Sequence, residues 1–232
     1  MVPRLSIEKK SPDELYLGKL PRVTRKAFLY CVEHLPLLAD SEWYLAGGTA
    51  LSLQVGHRQS VDLDFFVSRP DFQTVDLERT LVATGEWTTS FGQKGTLYGI
   101  IAGAKASFIA YPFFKPSPER IQCGNVSLLI PGDIAAMKII AISQRGRKRD
   151  FVDLYWYCKN RESLFEVIQR AVKSYPGQED NVNYILRSLV YFVDAEEDPM
   201  PKVFFKTTWR EIKAYFTREV PKITKEFLQL FS

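Results

Sequence analysis

Apolar positions divide the chain into two patterns. From residue 43 to residue 130, short apolar runs alternate with polar positions and are punctuated by glycine, which predicts strands. From Pro131 onward apolar residues recur every three or four positions, which predicts helices. Ahead of both, residues 20–39 place Ala27, Phe28, Cys31, Leu35 and Leu38 at helical spacing. The first half then reads as a strand at 43–46, a helix at 49–55 for which Thr49 supplies the cap, and a strand at 61–67. A helix at 71–84 ended by Gly85 follows, then a hairpin of strands 87–91 and 96–102 around Gln93-Lys94-Gly95, and strands at 105–111 and 126–130. Helices are expected at 134–143, 151–159, 163–173, 182–192 and 209–230. The layout is α+β: a mixed-sheet core with an N-terminal helix over residues 1–130, and a helical domain over 131–232.

Composition narrows the chemistry. The 232 residues include only His34, His57, Cys31, Cys123 and Cys158 as thiol or imidazole donors, with no C-x-x-C pair. Zinc and a disulfide framework are therefore disfavoured, and a metal would have to use oxygen ligands, which suits magnesium or manganese. The cysteine pattern and the lack of an apolar leader in residues 1–20 predict a reducing, cytoplasmic setting. The apolar stretch 96–114 is broken by Gly99, Gly103, Lys105 and Pro112, so no membrane span is expected. The net charge is +4, with 14 basic and 13 acidic residues in 1–120 against 17 and 14 afterwards. That balance is too even to indicate a nucleic-acid partner by itself.

The densest chemistry lies in Gly47–Phe66, GGTALSLQVGHRQSVDLDFF. On a strand, Val61, Leu63 and Phe65 would point to the core while Asp62 and Asp64 share the other face, with Cα atoms about 6.6 Å apart from a rise of roughly 3.3 Å per residue. Two carboxylates at that spacing converge on one hard cation, and their mutual repulsion calls for positive charge in the site. Upstream, Gly47-Gly48-Thr49 joins a strand to a helix, where backbone amides hold phosphate. Either piece alone is common, but a glycine turn followed 14 residues after Gly48 by a strand with Asp-x-Asp is a rare conjunction.

On these motifs the sequence resembles the DNA polymerase beta-like nucleotidyltransferase superfamily, and the fuller string with His57-Arg58 and Ser60 resembles its AbiEii/AbiGii toxin branch. The resemblance continues through IAAMKIIAISQRGRKRDFVDLYWY, residues 134–157. It implies a nucleotidyltransferase-type mixed β-sheet with flanking helices, and a helical half that completes the active-site cleft. It implies a bacterial toxin that works with a cognate antitoxin protein and transfers a nucleotide from a nucleoside triphosphate, with Mg2+ or Mn2+ on Asp62 and Asp64. Gly47, Gly48, Thr49 and Arg58 would then bind the nucleotide, Lys138 would face its phosphates, and Asp150 would join the site as general base. The acceptor is expected to be an RNA 3′ end, a protein or a small molecule.

Each of these residues also has a plainer reading. Lys138 is the only charged side chain in a segment that is apolar almost all round, so it needs either an anionic partner or a route to solvent. Asp150 and Asp153 lie at i and i+3, as a helix-start pair would, with Asp153 expected to pair with an arginine. The basic turn Arg145, Arg147, Lys148, Arg149 is either a solvated loop or a phosphate contact. His57 is either structural or part of the site, and Tyr155-Trp156-Tyr157 either packs a core or stacks on a base. The superfamily places a third carboxylate on a later strand, yet no acid occurs between Glu86 and Glu119, and Ser107 stands at that place. This departure keeps a second reading in view, a nucleotide- or RNA-binding module that retains the fold without turnover. A glycosyltransferase reading of Asp-x-Asp is disfavoured by the Gly-Gly-Thr turn.

Overall fold

The computed structural model describes residues 6–39, 42–177 and 181–230, and the chain divides into two units, Met1–Ile130 and Pro131–Ser232. In the first unit lie β1 (Ser6–Lys9), α1 (Arg22–His34), β2 (Tyr44–Ala46), α2 (Gly47–Val55), β3 (Leu63–Val67), α3 (Thr74–Val82), β4 (Trp87–Gln93), β5 (Thr96–Ile101), β6 (Ala104–Ala110), β7 (Glu119–Cys123) and β8 (Val126–Leu129). The strands form one mixed sheet in the order β1-β7-β8-β2-β3-β6-β5-β4. Parallel pairing joins β3 to β6, β2 to β8 and β1 to β7, and the remaining neighbours are antiparallel.

Strand alternation builds the core. Leu63, Phe65 and Val67 are buried on one face of β3 while Asp64 and Phe66 look to the other. Phe108 on β6 stacks on Phe65 at 5.0 Å between ring centroids and meets Trp43 and Trp87 edge-on, so four aromatics from separate elements close the layer. The hairpins carry the residues their turns require. The β4–β5 turn uses Gly95 at φ +68°, and the β5–β6 turn uses Ala102 at +46° and Gly103 at +91°.

Three details differ from the sequence pattern. The third strand begins at Leu63 rather than residue 61, because side-chain hydroxyls take the preceding carbonyls. Thr24 donates to the Val61 oxygen at 3.0 Å and Thr49 to the Asp62 oxygen at 2.5 Å. Val61 is consequently half exposed instead of joining the core, and Asp62 sits just before the strand. Helix α2 starts at Gly47, with no side chain capping it, so Thr49 is not the cap. Gly47 at φ +71° lets the chain turn out of β2 three residues earlier than a Thr49 cap would allow. Finally, β1 carries no apolar alternation that would predict it, and β7 offers only Ile121 and Cys123 as alternating buried positions. All four residues of β1 are exposed, and it forms the charged edge of the sheet.

The second unit holds α4 (Pro131–Arg145), α5 (Lys148–Asn160), α6 (Leu164–Ser174), α7 (Val182–Ser188), α8 (Val193–Glu196) and α9 (Trp209–Leu230). Helix α4 is apolar nearly all round and packs against α5, α6 and α7. Phe151 gathers Phe192, Trp209 and Phe216 within 6 Å, joining α5 to the chain's end. The helix expected at 182–192 stops at Ser188, and a separate short helix follows at Val193–Glu196, because Val190, Tyr191 and Phe192 are weak helix formers and Phe192 turns into that cluster. Among the described residues no helix is long and apolar enough to cross a membrane.

Candidate active site

Six of the predicted site residues are brought together in the first unit by β2, α2 and β3. Antiparallel pairing sets Asp64 opposite Ala46, the last residue before the glycine turn. A Cβ placed on Gly47 would lie 3.5 Å from Asp64 Oδ2, so the turn and the carboxylate are in near contact. Gly48 is needed for a different reason. A Cβ there would fall 2.1 Å from Nη2 of Arg58, whose guanidinium fills the space a side chain would take. Arg58 is 4% exposed and is held from behind, its Nη1 donating to the Gln59 carbonyl at 2.9 Å and its own carbonyl accepting from Ser52 Oγ. A buried guanidinium thus lies over the first turn of a helix that no side chain caps. Helix-start amides without a side-chain cap and a planar cation beside them are the donor types that suit an anion. Thr49 acts as a brace, its hydroxyl contacting both the Asp62 carbonyl and, at 2.9 Å, Ser60 Oγ. His57 is 1% exposed, packed in the loop behind Arg58.

On the other side of Asp64, β6 contributes Ser107. The two residues are register partners, and Ser107 Oγ donates to Asp64 Oδ1 at 2.7 Å. The position of the absent third acid is therefore taken by a neutral hydroxyl that orients Asp64. Asp62 and Asp64 are half-buried and open onto a cleft of about 470 Å³ whose walls also carry Ser90, Tyr98, Lys105 and Ser107. Sequence reasoning passed over Tyr98 and Lys105, although alternation along β6 puts Lys105 on the face of Ser107. Among the described residues no group of three or more His, Cys, Asp or Glu is arranged to hold a metal. The donors at hand are hard oxygens from two carboxylates, which fit a single magnesium-type cation rather than a soft one.

Lys138 and Asp150 belong to the second unit, where they are joined to each other. Lys138 Nζ reaches Asp150 Oδ1 at 2.5 Å and Asp153 Oδ2 at 2.8 Å, with all three side chains buried. The reading of Lys138 as a solvent-reaching surface lysine is thereby overturned, and Asp153 takes the Lys138 ammonium as a partner. Asp150 Oδ2 is buried and accepts no hydrogen bond among the described residues. Two members of the basic turn are held by the second unit itself, while Arg145 and Arg149 are exposed. Arg147 pairs with Asp198 at 2.9 Å, while Lys148 is buried, bonds the Asp198 and Glu196 carbonyls and lies 5.2 Å from the Trp209 ring centroid. Tyr155 packs on Phe205 and Tyr215. Burial pushes the thiols of Cys31, Cys123 and Cys158 up to about 12, 11 and 12, so none is a ready thiolate nucleophile.

Comparison with known proteins identifies the family and the fold. Residues 35–114 and 114–232 match the family described as nucleotidyl transferase AbiEii toxin, type IV toxin–antitoxin system. An uncharacterised protein of Aquifex aeolicus is 33% identical over 193 residues, covering 82% of this chain and 89% of its own. MenT4, a nucleotidyltransferase toxin of Mycobacterium tuberculosis, superposes with a TM-score of 0.51 at 14% identity, over 88% of this chain and 86% of that one, which speaks to the fold alone.

Proposed function

The chain belongs to the AbiEii nucleotidyltransferase toxin family, and on that premise we propose that it transfers a nucleotide from a magnesium-bound nucleoside triphosphate to an acceptor hydroxyl, releasing pyrophosphate. The observation that carries the reading is the placement of Asp64 between the Gly47-Gly48 turn and Ser107, on the wall of an open cleft. Asp62 and Asp64 would hold the metal, which when bound supplies charge stabilisation at the reacting phosphate. The amides of Gly47, Gly48 and Thr49 and the guanidinium of Arg58 bind the phosphates, an arrangement that costs no reorganisation because Arg58 is already held. On the strength of the family motif Lys138 and Asp150 are proposed to join the site as well, which requires their buried ion pair to open, Lys138 then offsetting triphosphate charge and Asp150 taking the proton of the attacking hydroxyl. The acceptor is an RNA 3′ end in this reading. The protein acts in the cytoplasm as the toxin of a pair, restrained by its antitoxin.

The test is incubation of the full chain with each labelled nucleoside triphosphate, magnesium and bulk RNA, beside Asp64→Ala. Transfer should fall by at least about 10²-fold in the variant, the scale seen when a transition-state contact is removed. The neutral Ser107 favours one rival, a binding module without turnover. Tight nucleotide binding with no transfer to RNA, protein or small-molecule acceptors would decide for that rival.

A further inference from the structure

Four adjacent strands carry a row of side chains on one face of the sheet. Asp64 on β3 is in register with Ser107 on β6, Ser107 with Tyr98 on β5, and Tyr98 with Phe91 on β4. At roughly 4.8 Å per strand, Tyr98 lies about 10 Å and Phe91 about 14 Å from Asp64 along this row. The two rings stack at 6.1 Å between centroids with an interplanar angle of 27°, and they are 42% and 48% exposed. Single exposed aromatics are ordinary, but this pair is arranged. The β4–β5 register shifts between Thr89 and Phe91, leaving Ser90 as an extra, bulged residue. Without that bulge Phe91 would fall opposite Leu97 and turn to the core face. The bulge carries it to the outer face against Tyr98.

We propose that Tyr98 and Phe91 form a stacking platform for the terminal base of a single-stranded nucleic-acid acceptor, which deepens, and rests on, the transfer reading of Asp62 and Asp64. Geometry separates this subsite from that of the triphosphate. In phosphoryl transfer the attacking oxygen forms its bond to phosphorus roughly in line with the phosphoanhydride bond that breaks, so the acceptor and the departing pyrophosphate lie on opposite sides. The phosphate cradle of Gly47, Gly48 and Arg58 belongs to the β2 side of β3, while β6, β5 and β4 extend from the other. An acceptor therefore arrives over Ser107, with its base toward Tyr98. Lys105 lines the same cleft, is exposed, and forms no ion pair among the described residues, which leaves its ammonium for a backbone phosphate.

The test is fluorescence anisotropy of a 5′-labelled single-stranded oligoribonucleotide with a free 3′ hydroxyl, titrated with the full chain in the absence of nucleotide. The Phe91→Ala/Tyr98→Ala double variant should bind about ten-fold or more weakly, given the usual contribution of a stacked base. Tyr98→Phe should stay within about two-fold, because it keeps the ring. Affinity for a magnesium-bound nucleoside triphosphate should not change. Equal RNA affinity in wild type and double variant, including no binding by either, overturns the platform. So does a double variant that loses triphosphate affinity instead, which would assign the rings to the incoming base, or one that keeps RNA affinity but loses a protein partner. Failure of the transfer reading shows elsewhere, as an Asp64→Ala protein that retains full transfer, and leaves this titration interpretable. Both rings are exposed, so the variants should melt as wild type does.

Discussion

Asp150 and Asp153 are sealed around the ammonium of Lys138, with side-chain exposures of 1% and 0%, whereas Asp62 and Asp64 stand half-buried on the wall of an open cleft. The residue types and the short spacing are alike, and the surroundings separate them. A buried carboxylate pair must be answered by a cation from the fold itself, since the desolvation of each charge costs several kcal/mol. A pair left on a cleft wall stays accessible to a ligand from solution. The first arrangement fixes two helices against each other, and the second is where an external cation and its phosphates can be received.

This contrast can be broken most forcefully at Lys138. Lys138→Met leaves two buried carboxylates without their cation and should cost about 3–5 kcal/mol, read from denaturant unfolding. Lys105→Met, a lysine on the cleft wall with no ion pair among the described residues, should change stability by less than about 0.5 kcal/mol. Similar losses for the two would mean that burial is not what distinguishes them.

A smaller effect is expected at the glycine turn. Gly47→Ala must hold a Cβ at φ +71°, which costs about 1–2 kcal/mol, and it crowds Asp64 Oδ2 at 3.5 Å. Nucleotide affinity, measured by calorimetry, should fall along with the melting temperature. Gly48→Ala should instead act through Arg58, whose guanidinium it displaces, lowering nucleotide affinity more than stability.

The smallest expected effect lies at the capping box of α6. Ser163 accepts from the Glu166 amide at 3.2 Å, and Glu166 accepts from the Ser163 amide and hydroxyl. Ser163→Ala should cost about 1 kcal/mol. Those two hydrogen bonds hold the Glu166 carboxyl below its ordinary value of 4.5. A carboxyl depressed by folding stabilises the protein above its unfolded value, and that contribution is lost as pH falls through the folded value. The penalty of Ser163→Ala should therefore be full at neutral pH and shrink in acid below about pH 4.5, which unfolding at a series of pH values would read.

The parts of the site legible in the sequence are those set by local geometry. Gly47-Gly48 and the alternation around Asp62 and Asp64 carry their meaning within twenty residues, and Ser107 could be found by counting to the next core strand. The need of Lys138 for an anion was equally visible, because an ammonium on an apolar helix is costly to bury alone. Its partners were not, since Asp153 joins it only through the packing of α4 on α5. Strands β1 and β7 escaped notice for the opposite reason: they are short and largely polar, β1 burying nothing and β7 only Ile121 and Cys123. The bulge at Ser90 is one extra residue in a hairpin and leaves no pattern, so the outward turn of Phe91 was invisible. The basic turn was legible only in part, because charge in a sequence does not reveal that Lys148 is drawn inward by two carbonyls and an indole.

The central claim is that the strand pair, and not the buried one, receives a metal ion. Titration of the full chain with Mn2+ alone, followed by loss of the free-ion paramagnetic resonance signal, tests it without reference to turnover. Wild type should take up the ion, and Asp62→Asn/Asp64→Asn should bind it at least about ten-fold more weakly with an unchanged melting temperature. Equal uptake by the two proteins, or none by wild type, would contradict the account.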